Sequence, residues 1–327
     1  MKRLDAYWEN VNIVSFLLLP LTGLFCFISL VRKFFYRVGF FKSYKSPIPV
    51  IIVGNISVGG TGKTPLIIAL VKQLQSRGRK PAVISRGYGS EACVWPQRVN
   101  AQTHAKFVGD EPQLIFNQTQ CPVVVGPNRK HDIELLLEKF DCDVVLSDDG
   151  LQHYALRRDI EIAVVDKVKR FGNGFCLPSG PLREGAARLS QVDMVLLNGA
   201  TPQEIGFKIA PSQCISVGKT SIESVNLDFF SGKTVHAIAG IGHPERFFNM
   251  LGEYNIQVIP HAYADHYDYH PSDINFNDDL CVLMTEKDAV KCTQFECTNH
   301  WCVPIDIKLT TSAQEQLNQI FDSLNPI

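Results

Sequence analysis

The chain has 327 residues, 45% of them hydrophobic and 20% charged. That is enough apolar material for a folded core; it excludes wholesale disorder, and the length suggests about two domains. Lys and Arg number 32 against 33 Asp and Glu, a net charge of −1, so the basic excess of a dedicated nucleic-acid binder is missing. The 10 cysteines contain no C-x-x-C pair and read as buried thiols in a reducing compartment, not as a zinc site or disulfide frame.

Residues 11–31 (VNIVSFLLLPLTGLFCFISLV) carry no charge, and roughly 20 apolar residues suffice to cross a bilayer core. No small-x-small cleavage site comes after them, which disfavours a signal peptide. Pro20 is expected to kink or break a helix at that point. Arg32, Lys33, Arg37, Lys42 and Lys45 then alternate with Phe34, Phe35, Tyr36, Phe40 and Phe41. Cations among aromatics suit an anionic membrane surface and keep the rest of the chain cytoplasmic. Residues 1–45 are therefore expected to associate with a membrane, either spanning it or lying in one leaflet. A buried helix of a soluble domain is the competing reading.

From residue 49 the pattern alternates strands and helices. Strand-like runs fall at 49–55, 82–85, 122–125, 144–147, 160–165 and 194–197, with helical stripes at 65–77 and 131–140. That order predicts βαβ units and a parallel sheet. A second set comes after it: strands at 235–239, 258–260 and 281–285, and helices at 244–251 and 311–324. The boundary is placed in the Ser-, Gly- and Asn-rich stretch 218–232. The expected organisation is a membrane-associating segment (1–45), a P-loop NTPase-like α/β nucleotide-binding domain (46–225), and a smaller α/β domain (226–327) closing over the site.

Ser57-Val58-Gly59-Gly60-Thr61-Gly62-Lys63-Thr64 lies between the first strand and the first helix. It is nearly G-x-x-x-x-G-K-[ST], with serine at the first glycine. Small residues let backbone N–H groups curl around phosphates, Lys63 brings a point charge, and Thr64 a hydroxyl for Mg²⁺. ATP and Mg²⁺ are the implied cofactors. Asp148 and Asp149 end the 144–147 strand, where a carboxylate would hold the metal; an ordinary Asp-Gly turn is the alternative. Asp110 and Glu111 open a helix, as capping acids, as a base or as metal ligands. Arg129 comes after a Gly-Pro-Asn turn, and Arg183 and Glu184 sit in the Gly- and Pro-rich loop 172–185; the arginines could hold phosphates and Glu184 the metal. Asp265 and His266 lie in the run YADHYDYH, as an acid–base relay, a metal site or a hydrogen-bonded loop.

Taken together, GNISVGGTGKTP (54–65), SRGYG (85–89), VGDEP (108–112), DDGLQH (148–153), LPSGPLRE (177–184), GIGHPERFF (240–248), ADHYDY (264–269) and TEKDAVK (285–291) resemble the tetraacyldisaccharide 4′-kinases of Gram-negative bacteria over nearly the whole chain. Gly185, His243 and His270 depart from that pattern without touching a proposed role. The resemblance implies transfer of the ATP γ-phosphate to the 4′-hydroxyl of an acylated glucosamine disaccharide-1-phosphate, giving lipid IVA. It implies Asp110 and His266 as the dyad that deprotonates the hydroxyl, Lys63 and Thr64 on phosphate and Mg²⁺, Asp148 or Asp149 and Glu184 on the metal, and Arg129 and Arg183 on phosphates. A monomer on the cytoplasmic face of the inner membrane is expected. The rival class is a membrane-bound switch ATPase of the partitioning kind, which shares GGTGKT but has a lysine where Val58 stands here; a nucleotide-binding scaffold without chemistry is a third reading.

Overall fold

The computed structural model describes residues 7–87, 90, 94–218, 223–265, 267–292, 295 and 297–324. In chain order these form α1 (Ile13–Arg37), β1 (Val50–Gly54), α2 (Lys63–Ser76), β2 (Pro81–Ser85), β3 (Gln97–Arg98), α3 (Ala105–Val108), α4 (Asp110–Thr119), β4 (Val123–Val125), α5 (Arg129–Lys139), β5 (Val144–Asp148), β6 (Ile160–Asp166), β7 (Met194–Asn198), β8 (Gly206–Pro211), β9 (Cys214–Ser216) and β10 (Ser224–Val225). They continue as β11 (Thr234–Ala239), α6 (Pro244–Glu253), β12 (Gln257–Ala262), α7 (Pro271–Ile274), β13 (Cys281–Thr285), α8 (Glu286–Cys292), β14 (His300–Val303), β15 (Ile305–Leu309) and α9 (Thr311–Asp322).

A nine-stranded sheet runs in the order β15-β8-β7-β6-β1-β5-β2-β4-β3. Its interior pairs are parallel, and only the edge strands β3 and β15 run antiparallel. All five residues of β1 are buried, as a strand covered on both faces requires. Alternation splits them: Ile51 and Val53 pack with α2 and α9, whereas Val50 and Ile52 pack with α5. Leu66, Ile67, Leu70, Val71 and Leu74 give α2 its buried stripe, and Ala313, Leu317 and Phe321 do the same for α9, at the spacing of one helix face.

The second sheet has six strands, β10-β9-β14-β13-β11-β12, with parallel pairing among β12, β11, β13 and β14. Sheet membership does not follow the division expected at 225/226. β9 and β10 already belong to the second sheet, and β15 returns to the first, pairing Ile305 with Pro211 through Leu309 with Phe207. Helix α9 then packs on the first core. The reason is topological: a strand pairs where its hydrogen bonds and apolar face are satisfied, regardless of its position in the chain.

Helix α1 has 25 residues and contains Pro20 without ending there. A proline at the eighth helical position forfeits one backbone bond, to the carbonyl four residues back, and leaves the rest of the ladder intact. One face is held to the body. The Thr22 hydroxyl donates to Ser179 Oγ at 2.7 Å, Asn173 Nδ2 donates to Ser15 Oγ at 3.2 Å, and Lys33 donates to Gln191 Oε1 at 2.9 Å. The other face exposes Ile13, Phe16, Leu17, Leu21, Leu24, Phe27 and Ile28.

Candidate functional site

The loop between β1 and α2 is shaped by its neighbours. Ser57 bridges Leu182, and the Val58 N–H donates to the Pro181 carbonyl at 2.8 Å. Gly59 (φ +106°) and Gly62 (φ +90°) lie in the left-handed region, which glycine enters freely. Ser57 does not, so serine is tolerated where glycine is usual. Space matters as well: a Cβ on Gly62 would sit 2.7 Å from Asn198 Nδ2. Asn198 also donates to the Thr61 carbonyl at 3.1 Å, and Asn55 Nδ2 reaches Thr61 Oγ1 at 3.1 Å. Helix α2 has no side-chain cap and no acid in its first turn, so its N-terminal N–H groups and dipole stay available to an anion.

Strand β5 delivers the acidic pair beside that loop. Asp149 takes a left-handed φ of +49° and turns its carboxylate onto two cations, Lys63 Nζ at 3.5 Å and Arg183 Nη1 at 2.7 Å. Burial alone would raise its pKa, but the charges and hydrogen bonds of Lys63 and Arg183 hold it below the usual range. Asp148 accepts from Ser85 Oγ at 3.2 Å, while its Oδ1 has no hydrogen-bond partner though buried. Burial pushes its pKa up to about 6; Lys63 opposes this, and Asp149 and Glu111 add to it. The two neighbouring carboxylates are thus tuned in opposite directions.

Two expected site residues sit differently from the reading of the sequence. Arg129 is 1% exposed. Its guanidinium donates to the carbonyls of Gly126 and Asp148, each at 3.2 Å, and pairs with the equally buried Asp132 at 3.3 Å. It is a brace behind the acidic pair, not a cation open to a phosphate; a Gly-Pro-Asn turn before a helix does not reveal which way the first helical side chain points. Glu184 has both oxygens engaged, one by the Tyr154 hydroxyl and one by Gln152 Nε2 at 3.0 Å. Gln152 also donates to the Asn55 carbonyl at 3.1 Å, so Glu184 anchors the segment that lines the phosphate loop.

Asp110 opens α4 beneath the second unit. Its Oδ2 lies 3.0 Å from Lys291 Nζ on α8, and the neighbouring Glu111 pairs with Lys287. Burial would lower the Lys287 pKa, but Glu111, with Asp265 and Asp110 behind it, leaves it raised. At the other side Arg246 on α6 pairs with Asp166 at 2.8 Å. Ion pairs therefore tie the end of β6 to α6 and the start of α4 to α8. His266 lies outside the described residues. Lys287 and Lys291 escaped the sequence reading; their i, i+4 spacing within TEKDAVK was the available signal. Asn55 and Asn198, polar residues ending apolar strands, were a weaker one.

A parallel sheet with a lysine-bearing phosphate loop after its central strand, and a carboxylate pair at the end of the next one, defines the class of P-loop nucleotide-binding proteins. The family model for tetraacyldisaccharide-1-P 4′-kinase matches residues 14–323. Proteins named tetraacyldisaccharide 4′-kinase from Ruthia magnifica and Pasteurella multocida are each 46% identical, over 94% and 97% of this chain and 99% and 98% of their own. The one from Hahella chejuensis is 44% identical over 98% of this chain and 96% of its own. A crystal structure of Aquifex aeolicus LpxK, an "apo" form in complex with ATP, superposes with a TM-score of 0.79 at 29% identity, covering 96% of this chain and 100% of that one. The chain belongs to the tetraacyldisaccharide-1-P 4′-kinase family.

Proposed function

We propose that this chain transfers the γ-phosphate of ATP to the 4′-hydroxyl of a tetraacylated glucosamine disaccharide-1-phosphate at a membrane surface, giving lipid IVA. The observation that carries the reading is the convergence of Lys63, Asp149 and Arg183 on one point beside the phosphate loop, in a chain of this family. Phosphoryl transfer needs alignment and charge neutralisation more than covalent chemistry. The N–H groups of the loop and of the α2 N-terminus cradle the phosphates, Lys63 takes the β/γ oxygens, and Arg183 steadies the group in transit.

The donor set fits Mg²⁺. Asp148 Oδ1 is a buried carboxylate oxygen without a hydrogen-bond partner, next to Asp149, and the phosphate loop adds the Thr64 hydroxyl. Among the described residues no group of three or more His, Cys, Asp or Glu could hold a metal alone, as suits an ion that keeps waters and shares substrate phosphates. Thr64, Asp148 and Asp149 would hold it, and when bound it neutralises charge on the β- and γ-phosphates. A sugar hydroxyl is a poor nucleophile at neutral pH, so a positioned base is needed. Asp110 is that base, with His266 its partner by the family pattern. Closure of the second unit over the site would exclude water and so protect ATP from hydrolysis.

The acceptor stays in its membrane and α1 brings the site to it. The helix has a mean hydropathy of 2.4 over its most apolar window and is pinned to the body from Ser15 to Lys33. A helix tied along its length to a folded domain cannot cross a bilayer without dragging that domain in. It lies in one leaflet with Leu17, Leu21 and Leu24 inward, on the cytoplasmic face of the inner membrane.

The test uses γ-labelled ATP in mixed micelles with and without the acylated disaccharide-1-phosphate. Label on the lipid, abolished by Lys63→Ala, is the expected result. Free phosphate released at the same rate with or without lipid would favour the switch ATPase.

A further inference from the structure

The segment TEKDAVK at 285–291 has no part in the phosphate site, yet it touches three other elements. On its outer side Lys287 pairs with Glu111, and Lys291 Nζ lies 3.0 Å from Asp110 Oδ2. The Lys291 ammonium also donates to the Tyr267 carbonyl at 3.2 Å and sits 5.9 Å from the Tyr269 ring centroid. Both members of the Lys291–Asp110 pair are nearly sealed, with side chains 10% and 9% exposed, so water screens this pair little.

On its inner side Asp288 is fully buried. It accepts from the Gly240 N–H at 3.0 Å, the Tyr269 hydroxyl at 2.9 Å and the Thr285 hydroxyl at 2.6 Å. The fit is tight: a Cβ on Gly240 would lie 2.6 Å from the Tyr269 oxygen and 2.8 Å from Asp288 Oδ1. One short helix therefore fixes the loop after β11 and the segment after β12 from below, and grips the start of α4 from the side.

We propose that Lys291 is a positioning residue for the transfer step: it holds the Asp110 carboxylate ionised and fixed in rotation, and ties it to the backbone at Tyr267 through that carbonyl. This rests on the reading of Asp110 as the base. An opposite charge at 3.0 Å with little screening favours the ionised carboxylate, and a base must be deprotonated before it can accept the hydroxyl proton. Among the described residues, Lys291 lies 3.0 Å from the Asp110 carboxylate; Glu111 and Lys287 pair with each other beside it, and Asp265 and Asp110 both act on Lys287. Lys287 pairs with Glu111, and Lys291 meets the carboxylate of the base directly. A carboxylate pinned at one oxygen by Lys291 holds a set rotation.

The test measures kcat, KM for ATP and the pH profile of the full-length enzyme in micelles for Lys291→Gln, Lys291→Met and Lys291→Arg. The neutral variants are expected to lose about 10- to 100-fold in kcat, with KM for ATP within about two-fold. The acid limb of kcat should move up by about one pH unit or more, and Lys291→Arg should restore most of the rate. Thermal denaturation of each variant separates misfolding from mispositioning. Two outcomes overturn the proposal: a folded neutral variant with wild-type kcat, or a rate loss with an unmoved acid limb and no rescue by arginine. Should Lys291→Met fail to fold, Lys291→Gln decides alone; should both fail, Lys291→Gln is read beside Asp110→Asn, where no charge is left unpaired. Residual activity of Asp110→Asn that Lys291→Gln lowers no further supports the proposal, and a further loss of about ten-fold in that background overturns it. An Asp110→Asn enzyme at wild-type rate sinks the base reading itself, whatever Lys291 does.

Discussion

Replacing Arg129 tests whether this arginine is a brace or a phosphate ligand. Arg129 and Asp132 are both 1% exposed and pair at 3.3 Å, and the same guanidinium satisfies the carbonyls of Gly126 and Asp148. Burial already pushes the Asp132 pKa up to about 7 against the pull of Arg129, so the pair is a costly one to bury. Arg129→Met would strand a buried carboxyl and two carbonyls. Removing one partner of a buried pair costs about 3–5 kcal/mol, whereas replacing both by apolar groups is often close to neutral. The single variant should therefore lose about that much in urea denaturation, followed by fluorescence in detergent micelles. Arg129→Met/Asp132→Leu should recover all but about 1–2 kcal/mol, the remainder being the two carbonyls. KM for ATP in the double variant should stay near wild type. A single variant as stable as wild type but with weakened ATP binding would refute the brace and return Arg129 to the phosphates.

In the phosphate loop, Gly62→Ala forces a Cβ into a left-handed position against Asn198, costing about 1–2 kcal/mol before the clash; ATP affinity by equilibrium dialysis should fall more than ten-fold. Leu17→Asp with Leu24→Asp places charges on the outward face of α1, where these leucines are 74% and 55% exposed. Each should remove about 2–3 kcal/mol of membrane partitioning, read as loss of vesicle co-sedimentation with no loss of thermal stability in detergent. The His153 pKa is lowered to about 4, by burial first and then by the charges of Arg129, Arg86, Arg158 and Arg32. Its depressed pKa favours the fold above the ordinary histidine pKa of about 6.5, and that contribution is lost as pH falls from about 6.5 toward 4. Allowing for a ring partly open to water, the loss at pH 5 is about 1 kcal/mol. His153→Gln should flatten stability across that window, and an unchanged slope would show that another group sets it.

The amino-acid sequence alone determined whatever depends on local pattern. The apolar run ending at Gly54, the glycines at 59 and 62 and the stripe from Leu66 to Leu74 specify strand, turn and helix, because backbone sterics and helix periodicity act over a few residues. Those same residues carried the phosphate loop, and the acids ending β5 completed its outline. Even the charge-free stretch of α1 was legible, since it is contiguous.

Tertiary structure decided what depends on side chains far apart in sequence. Nothing near Arg129 says that its guanidinium turns inward to Asp132 and the Asp148 carbonyl; burial by α5 and the sheet sets that. Nothing near Glu184 reveals that Tyr154 and Gln152 take its oxygens. The return of β15 and α9 to the first sheet comes from edge pairing with β8, about 100 residues earlier in the chain. The face that α1 leaves exposed is set by where Thr22 meets Ser179, and the pairing of Asp110 with Lys291 by where α8 lands on α4. Charge pairing and burial act through space, so a spacing rule along the chain could not have found them.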